Sequence, residues 1–417
     1  MKPHRASLSS TAILQVGWPL LLAAVAFTYL ARHFEMTQDD AFITYRYVAN
    51  YLSGHGLVFN WGERVEGFTN FGWTIYLLAA GVLRTDFILV SKVTGFLCGL
   101  GTVGITYLVG LHVLGPERRW YAVGALWLVG VNQALAYWSP AGLETAAFSL
   151  ATMAALYWYL TRSHLLIFGL VLAVALRPEG AMVAAILIAT EWLDKRRLPG
   201  FTLRCALAAL AWSMPMVAFK YLYYGSILPN PFYAKTSFDL QQLGNGLEYS
   251  GLFLREYGFY GVGLLVPLLF WKRLGPGARS VLCFTIAFML YVTLIGGDVL
   301  KVHRFFTPIE GLSAVLLMLT LKLIVDLRSS FRLGRLAPLV VVVMLALTVW
   351  LPRDTTAHYS RNERGLVTKM AFMAERIREA DSTNFSVAVS TIGRFSYERS
   401  KERRVGKECR SRWSPYH

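Results

Sequence analysis

Residues 38–70, QDDAFITYRYVANYLSGHGLVFNWGERVEGFTN, form a polar, charge-dense loop inside an otherwise oily chain. About twenty apolar positions precede this stretch, and apolar runs follow it almost to the carboxyl end, so the chain must hold the loop at a membrane surface. Of the 417 residues, 55% are hydrophobic and 16% charged, with a mean hydropathy of +0.45. No soluble core absorbs that much apolar surface, and the composition reads as an all-α polytopic membrane protein. The first apolar run follows Lys2 and Arg5, is long enough to span, and lacks a small-x-small cleavage site, which makes it an uncleaved anchor.

Outward from the loop, apolar runs lie at 12–32, 87–113, 120–137, 141–161, 201–222, 258–271, 279–296, 305–325 and 337–351, with shorter ones at 164–176 and 179–193. The run from Phe71 to Leu83 would be a helix of roughly 20 Å, too short to cross comfortably, and reads as juxtamembrane. Basic clusters at Arg118-Arg119, Lys195-Arg196-Arg197, Lys272-Arg273 and 328–335 belong on the cytoplasmic side. The expectation is a bundle of about eleven transmembrane helices, with a cytoplasmic amino terminus and the first loop outside. Segments 34–70, 138–144, 177–180, 223–257, 297–304 and everything after about Pro352 then share the outer face, where all the unusual polar residues gather.

Three domains are expected: a transmembrane domain at 1–351, the start of a truncated external α/β-like domain at 352–398, and a tail at 399–417. The alternating Phe385-Ser386-Val387-Ala388-Val389 suggests a strand in the second. The tail resembles a translated sequencing adapter and is expected to be non-native. Leaving out its seven basic and two acidic residues lowers the net charge from +16 to about +11, a level that suits cytoplasmic loops rather than nucleic acid. Cys98, Cys205 and Cys283 lie in apolar runs as small hydrophobes, with no disulfide framework or CxxC metal motif.

Within the loop, Thr37 is placed to cap an amphipathic helix bearing Phe42, Tyr45, Val48 and Leu52 on one face. Asp39, Arg46 and Asn50 share a polar stripe on it. Asp39 and Asp40 also suit the positive end of a helix dipole without any catalytic role, but Glu63, Arg64, Glu66 and Asn70 on the same loop make a binding site the better reading. Arg177-Pro178-Glu179 sits between two short runs, where a charge is costly unless paired or facing a wet cavity, and the proline frees backbone groups. Glu144, at the start of a span, and Asp298, after Gly296-Gly297, can line the same cavity. Asn230 stands between two prolines as a turn residue and ligand contact, while Trp61 and Phe68 can stack on a sugar.

The loop resembles the first external loop of GT-C superfamily glycosyltransferases, particularly the group containing the mycobacterial arabinofuranosyltransferase that acts on arabinan ends. The resemblance continues in Ser139–Thr145 (SPAGLET), Leu176–Gly180 (LRPEG), Tyr223–Lys235 (YYGSILPNPFYAK) and Gly297–Pro308. It implies a GT-C-type bundle, a polyprenyl-phosphate sugar donor, and an acidic loop residue as catalytic base or metal ligand. Independently, moving a sugar from a lipid phosphate to an alcohol needs a carboxylate to take the hydroxyl proton and cations or a metal to stabilise the departing phosphate. Asp40 is the choice for the base and Asp39 for its partner, the two able to share a divalent ion such as Mg²⁺. Lys235, His303 and Arg304 are the phosphate-stabilising candidates, with headgroup snorkelling as the alternative.

No nucleotide or redox cofactor is expected, because no Gly-rich phosphate cradle occurs. The expected function is transfer from a polyprenyl-phosphate sugar to an envelope glycan, lipid or protein on the outer face of a bacterial plasma membrane. The rival is a flippase for lipid-linked sugars, which would place ligands at broken helices near the midplane rather than gather charges on one face.

Overall fold

The computed structural model describes residues 10–235, 240–327, 331–380 and 391–400, and within them every regular element is a helix. Helix α1 (Ser10–His33) leads into the loop helix α2 (Asp39–Leu52) and the short α3 (Phe71–Val82). Then come α4 (Phe87–Leu114), α5 (Arg119–Gly130), α6 (Gln133–Trp138), α7 (Thr145–Leu160), α8 (Leu166–Leu176) and α9 (Gly180–Lys195). They are followed by α10 (Gly200–Tyr224), α11 (Asn230–Lys235), α12 (Leu240–Tyr257), α13 (Phe259–Leu269), α14 (Pro276–Leu294) and α15 (Thr307–Leu327). The chain closes with α16 (Phe331–Trp350), α17 (Arg353–Ala380) and α18 (Gly393–Ser400). The core gathers around α15, which is buried along almost its whole length and packs on α4, α5, α7, α13 and α14.

Five helical stretches among the described residues are long and apolar enough to cross a membrane: α4, α10, α14, α15 and a stretch within 335–379. Helices α12 and α13 add a sixth if their 97° bend is one broken span. The expected eleven would have to draw on shorter helices, for reasons that hydropathy cannot see. The run 120–137 is broken after Gly130, where the Asn132 side chain accepts the Leu135 N–H at 2.9 Å and starts α6. The run 141–161 becomes helical only at Thr145, because 139–144 is a buried turn.

Helix α2 departs from expectation in two ways. Gln38, not Thr37, is its N-cap residue, in extended conformation and without a side-chain cap bond. It is also buried on both faces: Phe42, Tyr45 and Val48 are at most 1% exposed, while Asp39, Arg46 and Asn50 are also buried. The polar stripe faces returning chain rather than water. Asn50 Nδ2 donates to the carbonyls of Val58 and Phe59, and Arg46 Nε donates to Phe59 at 2.7 Å.

The described parts of the segment after the bundle pack on it. Helix α17 lies over the ends of α1 and α12, with Ser360 Oγ donating to the Phe34 carbonyl and Thr355 Oγ1 donating to Glu256 Oε1 at 2.6 Å. Helix α18 packs on α2 and α17. The expected strand at 385–389 and the tail from 401 onward lie outside the described residues.

Close approach of α4 to the 139–144 turn fixes the frame of the site. A Cβ at Gly95 would lie 2.2 Å from the Ser139 carbonyl oxygen, a contact only glycine avoids. Gly95→Ala is therefore expected to cost about 1–3 kcal/mol, read as a lowered unfolding temperature of the purified protein in detergent.

Candidate active site

Arg177 is the centre of the polar interior. Pro178 disfavours helical backbone at the preceding residue, and Arg177 is extended at φ −152°, ψ 141°, which ends α8 and turns its side chain inward. Its Nη1 meets Glu144 Oε1 at 2.9 Å and its Nη2 meets Glu179 Oε1 at 2.9 Å. The guanidinium carbon lies 4.8 Å from the Phe305 ring centroid. Glu144 Oε2 accepts Asn70 Nδ2 at 2.9 Å, and Asn70 Oδ1 accepts Thr44 Oγ1 at 3.2 Å. A continuous hydrogen-bonded chain thus runs from α2 through Asn70 and Glu144 to Arg177.

Arg304 reaches the same place from the other side. Its Nε donates to Asp298 Oδ2 at 2.5 Å, and its guanidinium carbon sits 5.7 Å from the Trp138 ring centroid. The preceding Val302 and His303 both have left-handed backbone, φ 58° and 52°, which is unusual for non-glycine residues and strained for a β-branched one. Tertiary bonds hold that turn. Trp138 Nε1 donates to the Val302 carbonyl at 2.7 Å, and the His303 ring meets Glu256 Oε2 at 2.8 Å. Burial alone would raise Glu256, yet the hydrogen bonds from His303 and Thr355 hold it below the usual carboxylate range.

Between the two arginines lies a partly open cleft lined by Arg177, Glu179, Arg304, Phe148, Phe305, Tyr291, Thr145 and Thr307 among others. Glu179 Oε2 has no hydrogen-bond partner among the described residues. Two cations, a carboxylate and aromatic faces on one wall are the groups that would hold a phosphorylated, hydroxyl-rich ligand.

The other expected site residues are arranged separately. Both Asp39 oxygens accept backbone N–H groups, from Gly393 and Arg394, each at 2.8 Å. Burial raises the Asp39 carboxyl above the ordinary aspartate range, although these bonds and the Arg394 charge oppose it. Asp40 is exposed at the start of α2. Burial and the charges of Asp39 and Asp40 push the nearby Glu363 up to about 7. Arg46 is committed to framework carbonyls, including Ser396 at 2.8 Å. Glu63 and Arg64 are exposed, Glu63 bonded to Asn60 and Arg64 lying over the Tyr223 ring. Glu66 pairs with Lys220 at 3.1 Å, and its carbonyl accepts the Asn230 N–H at 2.9 Å. Asn230 is exposed, and the Lys235 side chain lies outside the described residues. His303 turns its ring to Glu256 within a nest of Tyr249, Phe253 and Tyr257. Phe68 is core rather than a stacking platform, packed against Tyr47, and Trp61 stacks on His55 at 3.9 Å.

The pair Asp39–Asp40 does not fit a shared ion in this arrangement. Both Asp39 oxygens are engaged by N–H donors, and among the described residues no three His, Cys, Asp or Glu side chains are placed to hold an ion together. Sequence reading also passed over Lys220, a lone cation in an apolar run and so open to the intramembrane-charge argument, and Glu256, hidden in an amphipathic helix.

Two consequences are measurable. Arg177→Met would leave Glu144 and Glu179 buried without their counter-charge and is expected to lower stability by about 3–5 kcal/mol in detergent unfolding. Glu66 has its carboxyl raised by burial to about 7 against the pull of Lys220, from a reference of 4.5. Its raised value means the folded state holds the proton more tightly, so its contribution is complete below pH 4.5 and is lost as pH rises through about 7. Relative to Glu66→Gln, the parent protein should lose about 3 kcal/mol across that window and then level off, read by thermal unfolding at stepped pH.

The chain is 29% identical over 331 residues to a terminal β-(1→2)-arabinofuranosyltransferase of Corynebacterium glutamicum, covering 65% of this chain and 46% of that protein. It is 28% identical over 264 residues to the protein of the same name in Mycobacterium tuberculosis, covering 57% and 40%. It thus spans less than half the length of these relatives, and no family model matches. In fold it is similar to the Archaeoglobus fulgidus oligosaccharyltransferase, solved in complex with Zn and sulfate, with TM-score 0.59 at 14% identity, covering 91% of this chain and 61% of that one. It is also similar to ArnT of Cupriavidus metallidurans, solved bound to undecaprenyl phosphate, with TM-score 0.55 at 12% identity, covering 93% and 85%. The chain is thus similar in sequence to arabinofuranosyltransferases over part of their length, and similar in fold to these two membrane proteins.

Proposed function

We propose that this chain is the membrane part of a bacterial glycosyltransferase that moves a sugar, of the arabinofuranosyl class, from a polyprenyl-phosphate donor to a hydroxyl of an envelope glycan, lipid or protein. The observation that carries the reading is the convergence of Arg177 and Arg304 on one cleft with Glu179 and aromatic walls. The likeness to arabinofuranosyltransferases supports the sugar class, and the undecaprenyl phosphate bound to ArnT supports the donor class.

In this reading the donor phosphate lies between the two guanidiniums, whose planar N–H forks suit phosphate oxygens. The acceptor hydroxyl attacks the anomeric carbon from the face opposite the phosphate. The carbon–oxygen bond to phosphate breaks with its electron pair leaving on the lipid phosphate, and configuration inverts. The hydroxyl proton passes to a carboxylate, for which Asp40 is the candidate on the exposed edge of α2. Glu179, with one oxygen unpartnered, is suited to accept from a sugar hydroxyl. Arg304 stabilises charge that grows only as the bond breaks, which lowers the barrier rather than tightening ground-state binding. The site would face the exterior of the plasma membrane, with the amino terminus cytoplasmic.

The test is transfer of label from polyprenyl-phosphate arabinofuranose in proteoliposomes. Arg304→Met is expected to lower kcat about 100-fold with little change in KM, and Asp40→Asn at least as much. Lipid translocation without transfer by the unaltered protein would instead favour a flippase.

A further inference from the structure

The most unusual contact outside the cleft joins residues 354 positions apart in sequence. The first two N–H groups of α18, on Gly393 and Arg394, point at the two carboxylate oxygens of Asp39, each at 2.8 Å. A helix leaves its first N–H groups without internal partners, and an aspartate oxygen is among their best acceptors. Here the acceptor comes from another helix. Around this contact α18 is held at further points: Ser396 offers its carbonyl to Arg46 Nη1 at 2.8 Å, Arg394 lies 4.6 Å over the Phe42 ring, and Tyr397 packs on Phe42 at 5.6 Å. Phe395 is fully buried.

Gly393 bears the geometric signature of a fitted joint. A Cβ there would stand 1.9 Å from the Asp39 carbonyl oxygen and 2.7 Å from Asp39 Oδ2, so any larger residue must push α18 off the start of α2. The polar stripe of α2 is therefore closed by two layers: the loop carbonyls of Val58 and Phe59, and the incoming α18.

We infer that Asp39 is a positioning residue: it receives the N-terminus of α18, and this joint, closed by Gly393, fixes the start of α2 and so the neighbouring Asp40. The inference deepens the proposed glycosyl transfer and rests on that reading for its kinetic arm only. It divides the two adjacent aspartates by their partners, one turned to backbone donors and one exposed. It also makes residues 393–398 part of the catalytic unit rather than of a separate domain.

The experiment uses the full chain in nanodiscs, with hydrogen exchange of 393–398 and label transfer read in parallel on Asp39→Ala, Asp39→Asn and Gly393→Val. Asparagine caps helices nearly as well as aspartate but cannot take a proton. The expected result is exchange at least tenfold faster in Asp39→Ala and Gly393→Val, with matching losses of transfer. Asp39→Asn, which keeps one accepting oxygen of the two, should exchange more slowly than Asp39→Ala and keep at least a tenth of the parent transfer rate. Two results would overturn the assignment: Asp39→Asn as inactive as Asp39→Ala while exchange stays slow, which would make Asp39 a direct participant, or unchanged exchange in both Asp39→Ala and Gly393→Val. If the parent protein itself transfers nothing, the proposed function fails, and the exchange arm alone still decides whether the joint exists.

Discussion

The polar chain that links the first loop to the helix break runs through one buried arginine between two carboxylates. Removing a guanidinium from water costs several kcal/mol, and only close counter-charges with satisfied hydrogen bonds repay it. Arg177 meets both conditions, at 2.9 Å to Glu144 and 2.9 Å to Glu179, and its face is covered by Phe305 and Phe148. Because Glu144 also holds Asn70, and Asn70 holds Thr44, the same charge ties the external loop to the helix break between α8 and α9. The loop is anchored by a charge buried in the bundle.

Arg177 and Glu179 stood out in the sequence as charges needing a pair or a wet cavity, while the bond from Glu144 to Arg177 did not, and the reason is energetic. Charges beside a proline between two short apolar runs have few affordable surroundings, so Arg177 and Glu179 point to a paired, enclosed site before any coordinates. Glu144, Asp298 and Arg304 followed from lying on the same expected face. Other features were illegible for equally physical reasons. Hydropathy cannot distinguish one span from two helices separated by a capped break, so the interruption at Asn132 was invisible, whereas the break at 138–144 was expected and only the later helix start, at Thr145, was missed. The contact of Asp39 with Gly393 is made by backbone N–H groups, which carry no residue signature. Glu256 sits in an amphipathic helix whose polar positions read as solvent-facing, and only the fold turns it onto His303.

The two arginines are mounted in contrasting ways. Arg177 is fixed by two carboxylates and an extended backbone that its following proline enforces, which leaves its guanidinium little freedom. Arg304 follows two residues in left-handed conformation, held by Trp138 and by the His303–Glu256–Thr355 chain. Strain of this kind persists only where surrounding contacts over-determine it. Those contacts come from α6, α12 and α17, so three separate parts of the chain are needed to present one side chain.

This dependence explains why the chain beyond the bundle folds back over the loop instead of standing apart. Thr355 completes the partners of Glu256, and α18 completes those of Asp39 and Arg46. Without α17, Glu256 would lose one of the two hydrogen bonds that oppose its burial, and its hold on His303 would weaken. Without α18, Asp39 would lose both of its backbone donors and Arg46 one of its carbonyl partners, while Asn50 would keep its bonds to the loop. The bundle positions the arginines, and the returning chain positions the loop against them. The placement of the arginines and of the loop therefore depends on residues far apart in the sequence.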